Sequence, residues 1–178
     1  MAKSESHHIL ERPTFTRPVK LLIVVAPYYK DIADNLLAGA CAELDAAGAG
    51  YDVVNMPGAL EIPTAISTAH RLANYDGFVA LGCVIRGETT HYDTVCNDSS
   101  RGLTLLGLEG ALIGNGILTV ETRAQAEIRA DPAAMNKGAG AAAAALHLIA
   151  LARRWVRPPA AKAPQDTIHI AAKTDPRP

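Results

Sequence analysis

Apolar residues along this chain fall into two alternating kinds of run. Lys20 to Ala26 (KLLIVVA) is continuously apolar, as a strand covered on both faces must be. Ile32, Leu36, Leu37, Ala40 and Leu44 then recur at the spacing of a helix with one buried stripe, and Asp31 stands where a cap is expected. The pattern predicts that this helix stops near Gly48 and that Tyr51 to Asn55 forms a short second strand. A second helix is expected from about Leu60 to Ala73, with Pro63 tolerable in its first turn. Phe78 to Ile85 reads as a third strand, followed by a helix from His91 or Tyr92 to Gly107 or Gly110. Ala111 to Val120 reads as a fourth strand, whose Gly114 and Gly116 let some other group approach its backbone. Thr122 with Gln125 is a capping-box pattern for a short fourth helix, and Asn136 to Arg154 makes a long last one.

Strands separated by helices require a parallel sheet with right-handed crossovers and helices on both faces. The expected architecture is therefore a three-layer α/β/α sandwich on a four-stranded parallel sheet. Seven of the eleven prolines fall before Val19 or after Val156. On that basis residues 1–18 are expected to be a flexible N-terminal segment, 19–156 one α/β domain, and 157–178 a flexible Pro/Ala-rich tail. Within the tail, Thr167 to Ala172 could add a short edge strand.

Composition adds limits. Of 178 residues, 49% are hydrophobic, enough for a sizeable core, yet only eight are aromatic while 33 are Ala. Elements that meet on small side chains suit those numbers. With 17 Lys and Arg against 18 Asp and Glu, the electrostatic footprint of a nucleic-acid binder is missing. No apolar run reaches the roughly 18 residues of a membrane span, and the polar start MAKSESHHILERPTF does not read as a leader. Cys41, Cys83 and Cys96 are odd in number and unrelated in spacing, which argues against a disulfide framework or a metal site. A reduced, soluble, cytoplasmic protein is expected.

In such sandwiches ligands bind outside the carboxyl ends of the strands, so chemistry should be sought after Ala26, Asn55 and Ile85 and around Gly114 to Thr119. After the third strand comes IRGETTHYD. Thr89 or Thr90 can cap the helix there, and the exposed N–H groups of its start suit an anion such as phosphate. Glu88 must then serve through its backbone, with its carboxylate turned away. His91 stands at the same helix start, and an imidazole is the natural proton-transfer group near neutral pH. After the second strand, the Pro57-Gly58 turn delivers Ala59 and Glu61 to the crevice, where the carboxylate could accept hydrogen bonds from a polyol. After the first strand, Tyr28 and Tyr29 put two of the eight aromatics at one strand end, and one ring could stack on a planar heterocycle. Asn115, Arg129 and Lys137 complete the polar candidates. Lys137 opposes the dipole of the helix it opens, which favours an anionic partner. Gly138 to Ala143 superficially fits a nucleotide fingerprint, but no strand leads into it. Cys83 reads as a buried small residue, and His70 and His147 as plain helix residues.

PGALEIP (Pro57 to Pro63), GCVIRGETTHYD (Gly82 to Asp93), GNGILTVE (Gly114 to Glu121) and NKG (Asn136 to Gly138), in this order, resemble the lumazine synthase family. The resemblance implies a flavodoxin-like sandwich and a reaction. Members condense 5-amino-6-(D-ribitylamino)uracil with (S)-3,4-dihydroxy-2-butanone 4-phosphate to 6,7-dimethyl-8-ribityllumazine, phosphate and water, the penultimate step of riboflavin biosynthesis. It implies that Tyr28 stacks on the pyrimidine and that Gly58, Ala59, Leu60, Glu61, Cys83, Val84 and Ile85 line the substrate site. Glu88, Thr89 and Arg129 match the phosphate site, and His91 matches the acid–base residue. Asn115 and Lys137 match positions supplied by a neighbouring subunit, since the family builds its sites between protomers of a pentamer. No metal, redox group or enzymic nucleophile is called for, because the substrate brings its own amine. Riboflavin synthase is an admissible partner; membranes and nucleic acids are not expected.

The chain departs from many members at Pro27, Tyr29 and Ala133, and Ala59 replaces a Ser found in some. The Asp131-Pro132 segment differs from the linker of members that form sixty-subunit shells, so a pentamer or a pair of pentamers is expected. Two other classes compete: a module that binds a flavin or lumazine without making it, and a protein whose assembly is its function. His91 and Arg129 argue against the first, and assembly alone would not require this set of ligand-facing residues.

Overall fold

The computed structural model describes residues 9–155, so the C-terminal tail and its candidate strand at 167–172 lie outside the described residues. Strands β1 (Lys20–Val25), β2 (Gly50–Asn55), β3 (Gly77–Ile85) and β4 (Ile113–Val120) alternate with helices α1 (Lys30–Ala46), α2 (Glu61–Leu72) and α3 (His91–Leu108). Helices α4 (Arg123–Ala130) and α5 (Lys137–Arg154) follow β4 and are the last elements among the described residues. All strand pairings are parallel, in the order β2-β1-β3-β4. The order reverses between β1 and β3, and that switch point is where such sheets open a crevice.

The continuous apolar run of β1 divides its side chains between two cores. Leu21, Ile23 and Val25 join Leu36, Leu44, Leu146 and Ile149 on the face covered by α1, α4 and α5. Leu22, Val24 and Ala26 join Ile62, Ile66, Phe78 and Leu103 on the face covered by α2 and α3. Both faces of β1 are thereby buried, as its composition requires. The edge strand β2 is different, with Val53 and Val54 exposed at 41% and 36%.

Three local expectations need correction. Asp31 does not cap α1: Tyr29 occupies the cap position without a side-chain bond, and Asp31 lies in the first turn, paired with Arg123. Ala111 and Leu112 precede β4 rather than belonging to it. Gly114 and Gly116 do not face a ligand crevice. A Cβ on Gly114 would stand 1.8 Å from the Ala141 carbonyl oxygen, so the group approaching this backbone is α5. Beside them, the Thr122 hydroxyl does accept from the Gln125 N–H at 3.3 Å, while Gln125 Oε1 accepts from Glu121 N–H, one residue earlier than a regular capping box.

Proline in the leading segment did not foretell its contacts. Arg12 makes a two-pronged ion pair with Glu43, and Phe15 packs on the core beneath the Arg153 guanidinium. Arg153 also donates to the carbonyls of Arg17 and Pro18.

Candidate functional site

A cavity of about 530 Å³ opens at the carboxyl ends of β1 and β3, within the size range of small-molecule sites. Three strand ends build it. From β1 come Ala26 and then Tyr28 and Tyr29, whose rings meet edge to face with centroids 5.1 Å apart. Tyr28 is 74% exposed, so one face of its ring is open at the mouth. From β2 the Pro57-Gly58 turn brings Gly58, Ala59, Leu60 and Glu61 to the wall. Glu61 N–H closes the turn onto the Gly58 carbonyl at 3.3 Å, and its carboxylate folds back until Oε2 is 3.0 Å from where a Gly58 Cβ would be. A Cβ at Gly58 would meet only the tip of that flexible side chain.

From β3 come Cys83, Val84 and Ile85, then Gly87, Thr89, His91, Tyr92 and Val95. Burial pushes the Cys83 thiol up to about 11, so it stays protonated and contributes an apolar patch to the floor. The segment between β3 and α3 is short of internal bonds. Thr89 Oγ1 accepts from His91 N–H at 3.4 Å, whereas Thr90, at the cap position, makes no side-chain bond. Among the described residues, the N–H groups of Gly87, Glu88, Thr89 and Thr90 meet no protein acceptor. Four unpaired donors at a helix start, beside an imidazole, form a setting that a phosphate ester would satisfy.

The sequence-predicted residues divide into two sets. Tyr28, Gly58, Ala59, Leu60, Glu61, Cys83, Val84, Ile85, Thr89 and His91 all line the one cavity. Glu88 is exposed and off the lining. Asn115, Arg129 and Lys137 lie elsewhere on the chain. Asn115 sits near the amino end of β4, opposite Ala80, and its side chain accepts from Ile117 N–H at 3.0 Å. Five residues of strand, about 16 Å, separate it from the carboxyl end. Arg129 is half-buried near the end of α4, where it donates to the Gln125 carbonyl at 3.1 Å. Lys137 is exposed at the start of α5. Tyr92, Val95, Gly87 and Ala26 were missed. A signal existed for Val95, which stands one helical turn beyond His91 and so shares its face.

The profile of the family described as 6,7-dimethyl-8-ribityllumazine synthase matches residues 18–153, the span that contains the sheet and every cavity residue. The chain belongs to this family. A 6,7-dimethyl-8-ribityllumazine synthase of Jannaschia sp. (strain CCS1) is 57% identical over 168 residues, covering 93% of this chain and 94% of that one. Proteins of the same description from Novosphingobium aromaticivorans and Azorhizobium caulinodans are 54% and 56% identical. They cover 76% and 78% of this chain, and 98% and 89% of their own lengths. The Jannaschia match is longer than the core at 19–156, so likeness to that one protein extends beyond it. Family membership also accounts for the flavodoxin-like strand order, with the cavity at its switch point.

Proposed function

We infer that this chain joins 5-amino-6-(D-ribitylamino)uracil to (S)-3,4-dihydroxy-2-butanone 4-phosphate, yielding 6,7-dimethyl-8-ribityllumazine, phosphate and water. It is a transferase of riboflavin biosynthesis. The observation that carries the reading is a cavity, in a chain of this family, whose wall holds the exposed Tyr28 ring, the Gly58 to Glu61 turn, the His91 imidazole and the Gly87 and Thr89 positions of the loop before α3.

The roles follow from the chemistry. Tyr28 offers its exposed face to the pyrimidine, while Gly58, Ala59, Leu60 and Glu61 run along the ribityl chain, with the Glu61 carboxylate accepting hydroxyl hydrogens. Cys83, Val84 and Ile85 give the floor. The Gly87 to Thr90 backbone receives the phosphate. The C5 amine of one substrate attacks the ketone of the other and a first water leaves as the imine forms; phosphate is eliminated from C4, the resulting enol becomes a ketone at C3, and the ribityl-bearing amine closes the ring on that carbonyl with loss of a second water. Each stage moves protons, and His91 is the group positioned to take and return them. Both reacting groups arrive with the substrates, so holding them together supplies much of the acceleration.

Arg129, Asn115 and Lys137 reach such a cavity only from another copy of the chain. We therefore take the working form to be a ring-shaped homo-oligomer, a pentamer or a pair of pentamers, in which neighbours complete each site. Exposed Leu105, Leu108, Leu148, Leu151 and Trp155, together with the open valines of β2, supply apolar surface for such contacts. Among the described residues no helix is long and apolar enough to cross a membrane, in keeping with a cytoplasmic enzyme whose product passes to riboflavin synthase. Purified protein given both substrates should generate the absorbance and fluorescence of the lumazine and release phosphate. Tight lumazine binding without turnover would assign a carrier role and overturn the enzymatic one.

A further inference from the structure

Arg86 follows β3 directly and turns its side chain back across its own loop. Its N–H donates to the Val120 carbonyl at 3.0 Å, adding one rung to the β3–β4 ladder. Its Nε donates to Glu121 Oε2 at 2.7 Å, and its Nη2 reaches Asp93 Oδ1 at 3.2 Å. Its guanidinium carbon stands 4.1 Å from the centre of the Tyr92 ring. Glu121 is the first residue past β4, whereas Tyr92 and Asp93 belong to the first turn of α3. One planar cation thus ties the end of the sheet to the helix that carries His91. The loop Gly87 to Thr90 is enclosed between its backbone and its side chain.

These ion pairs are exposed, and exposed pairs add little to overall stability. What the guanidinium offers is shape: a rigid fork with a flat face, which a lysine lacks. The enclosed loop has little else to define it, since the contact of Thr89 with His91 N–H is its one side-chain tie. A segment so lightly bonded samples several arrangements unless its ends are fixed.

We propose that Arg86 is a positioning residue: clamped between Glu121 and Asp93 and stacked on Tyr92, it holds the Gly87 to Thr90 donors and the His91 imidazole in one geometry at the cavity. The proposal rests on the reading that this loop receives the phosphate of the second substrate. Arg86 is not part of the cavity wall, and two carboxylates already balance its charge, so it does not serve as the counter-ion of the phosphate. The clamp acts on one side of the site only. Tyr28 and the Gly58 to Glu61 turn, which receive the uracil substrate, hang from other strands.

Full-length Arg86→Ala and Arg86→Lys test this. A misplacement on the scale of an ångström costs roughly 100-fold, so Arg86→Ala should lower kcat by roughly 10- to 100-fold. Its KM for the butanone phosphate should rise by about 10-fold, while KM for the ribitylaminouracil stays within about 2-fold. Arg86→Lys keeps the charge without the fork or the flat face and should recover only part of kcat. Equal rises in both KM values, full recovery by Lys, or unchanged kinetics in Arg86→Ala would each overturn the proposal. Calorimetric titration with inorganic phosphate separates this outcome from the fate of the enzymatic reading. If the wild-type chain binds phosphate about 10-fold more tightly than Arg86→Ala, the clamp stands even where no lumazine forms. Wild-type protein that makes lumazine yet matches Arg86→Ala in phosphate affinity would remove the clamp and leave the reaction in place.

Discussion

Two groups of glycines in this molecule do opposite things. Along the contact of α5 with β4 and α1 they admit backbone to backbone. A Cβ on Gly114 would lie 1.8 Å from the Ala141 carbonyl oxygen, and one on Gly138 would lie 2.0 Å from that of Leu36. At the rim of the cavity, Gly87 would place its Cβ in open space, and Gly58 faces only the tip of the Glu61 side chain. The first group is filled by protein; the second leaves room for something else. In a sequence both look alike, since GNG on a strand and RGE after one are each a small residue at a place of close approach. Only the partner distinguishes them.

Alanine substitution should break the comparison open. At Gly114 the added carbon has a carbonyl for a neighbour, which no rotamer change relieves, so α5 must leave the sheet. Gly114→Ala should lose more than about 4 kcal/mol, in the exceptional range for single substitutions, or fail to yield folded protein. Gly87→Ala should stay within about 0.5 kcal/mol of wild type in the same urea unfolding experiment. Equal stability of the two variants would mean that the seam is not tight.

His91→Ala probes the rim by chemistry in place of packing. The side chain is exposed on the cavity wall and its loss leaves no void in either core, so the fold should persist. Turnover should fall by roughly 10²–10⁴-fold, the usual contribution of a positioned acid–base group. Steady-state kinetics on a variant with unaltered circular dichroism would check it, and wild-type turnover would remove His91 from the mechanism.

Most of the fold was open to reading because its cues are local. The KLLIVVA run, the helical stripe from Ile32 to Leu44 and the Thr122–Gln125 cap each depend on residues close in sequence, and each element formed near its expected limits. The strand ends that carry the cavity were legible for the same reason, whereas Leu60, Cys83, Val84 and Ile85 came only from the family resemblance. What stayed hidden depends on contacts between distant segments. That Gly114 meets Ala141, that Arg12 pairs with Glu43, and that Arg86 closes onto Glu121 cannot be read from spacing. Arg129 shows the limit in another way. Its resemblance to a phosphate ligand is a property of sequence, whereas its place near the end of α4, bonded to its own helix, puts it outside the cavity of its own chain.

That position sharpens the comparison, because under the proposed function the rim is completed by a second copy of the chain. Arg129→Ala should weaken the butanone phosphate by about 1.5–3 kcal/mol, the scale of a hydrogen bond to a charged group, seen as a rise in its KM. The decisive experiment mixes subunits. Where a site takes His91 from one copy and Arg129 from the next, mixed assemblies of His91→Ala and Arg129→Ala chains contain some intact sites. Activity above that of either variant alone is expected. No recovery on mixing would return Arg129 to its own chain or take it out of the site.

The smallest effect lies where packing and cavity meet, at Cys83. Its thiol is part of the core on one side and of the cavity floor on the other. Burial raises the thiol from the ordinary 9.0 to about 11, chiefly because the thiolate would lose its hydration. The sign follows from linkage. Below about 9 the thiol is protonated in folded and unfolded chains alike, and it adds no pH dependence. Between about 9 and about 11 the unfolded chain releases the proton and the folded chain keeps it, so stability falls as pH rises through that window. Cys83→Ala abolishes this one contribution. The gap in melting temperature between wild type and Cys83→Ala should therefore shift against the wild type from pH 8.5 to pH 10.5, by no more than ~4–8 °C for a chain of this size. A parallel course of the two melting curves across that range would mean that the thiol ionises as readily in the folded protein as outside it, and that the cavity floor is wet where Cys83 lines it.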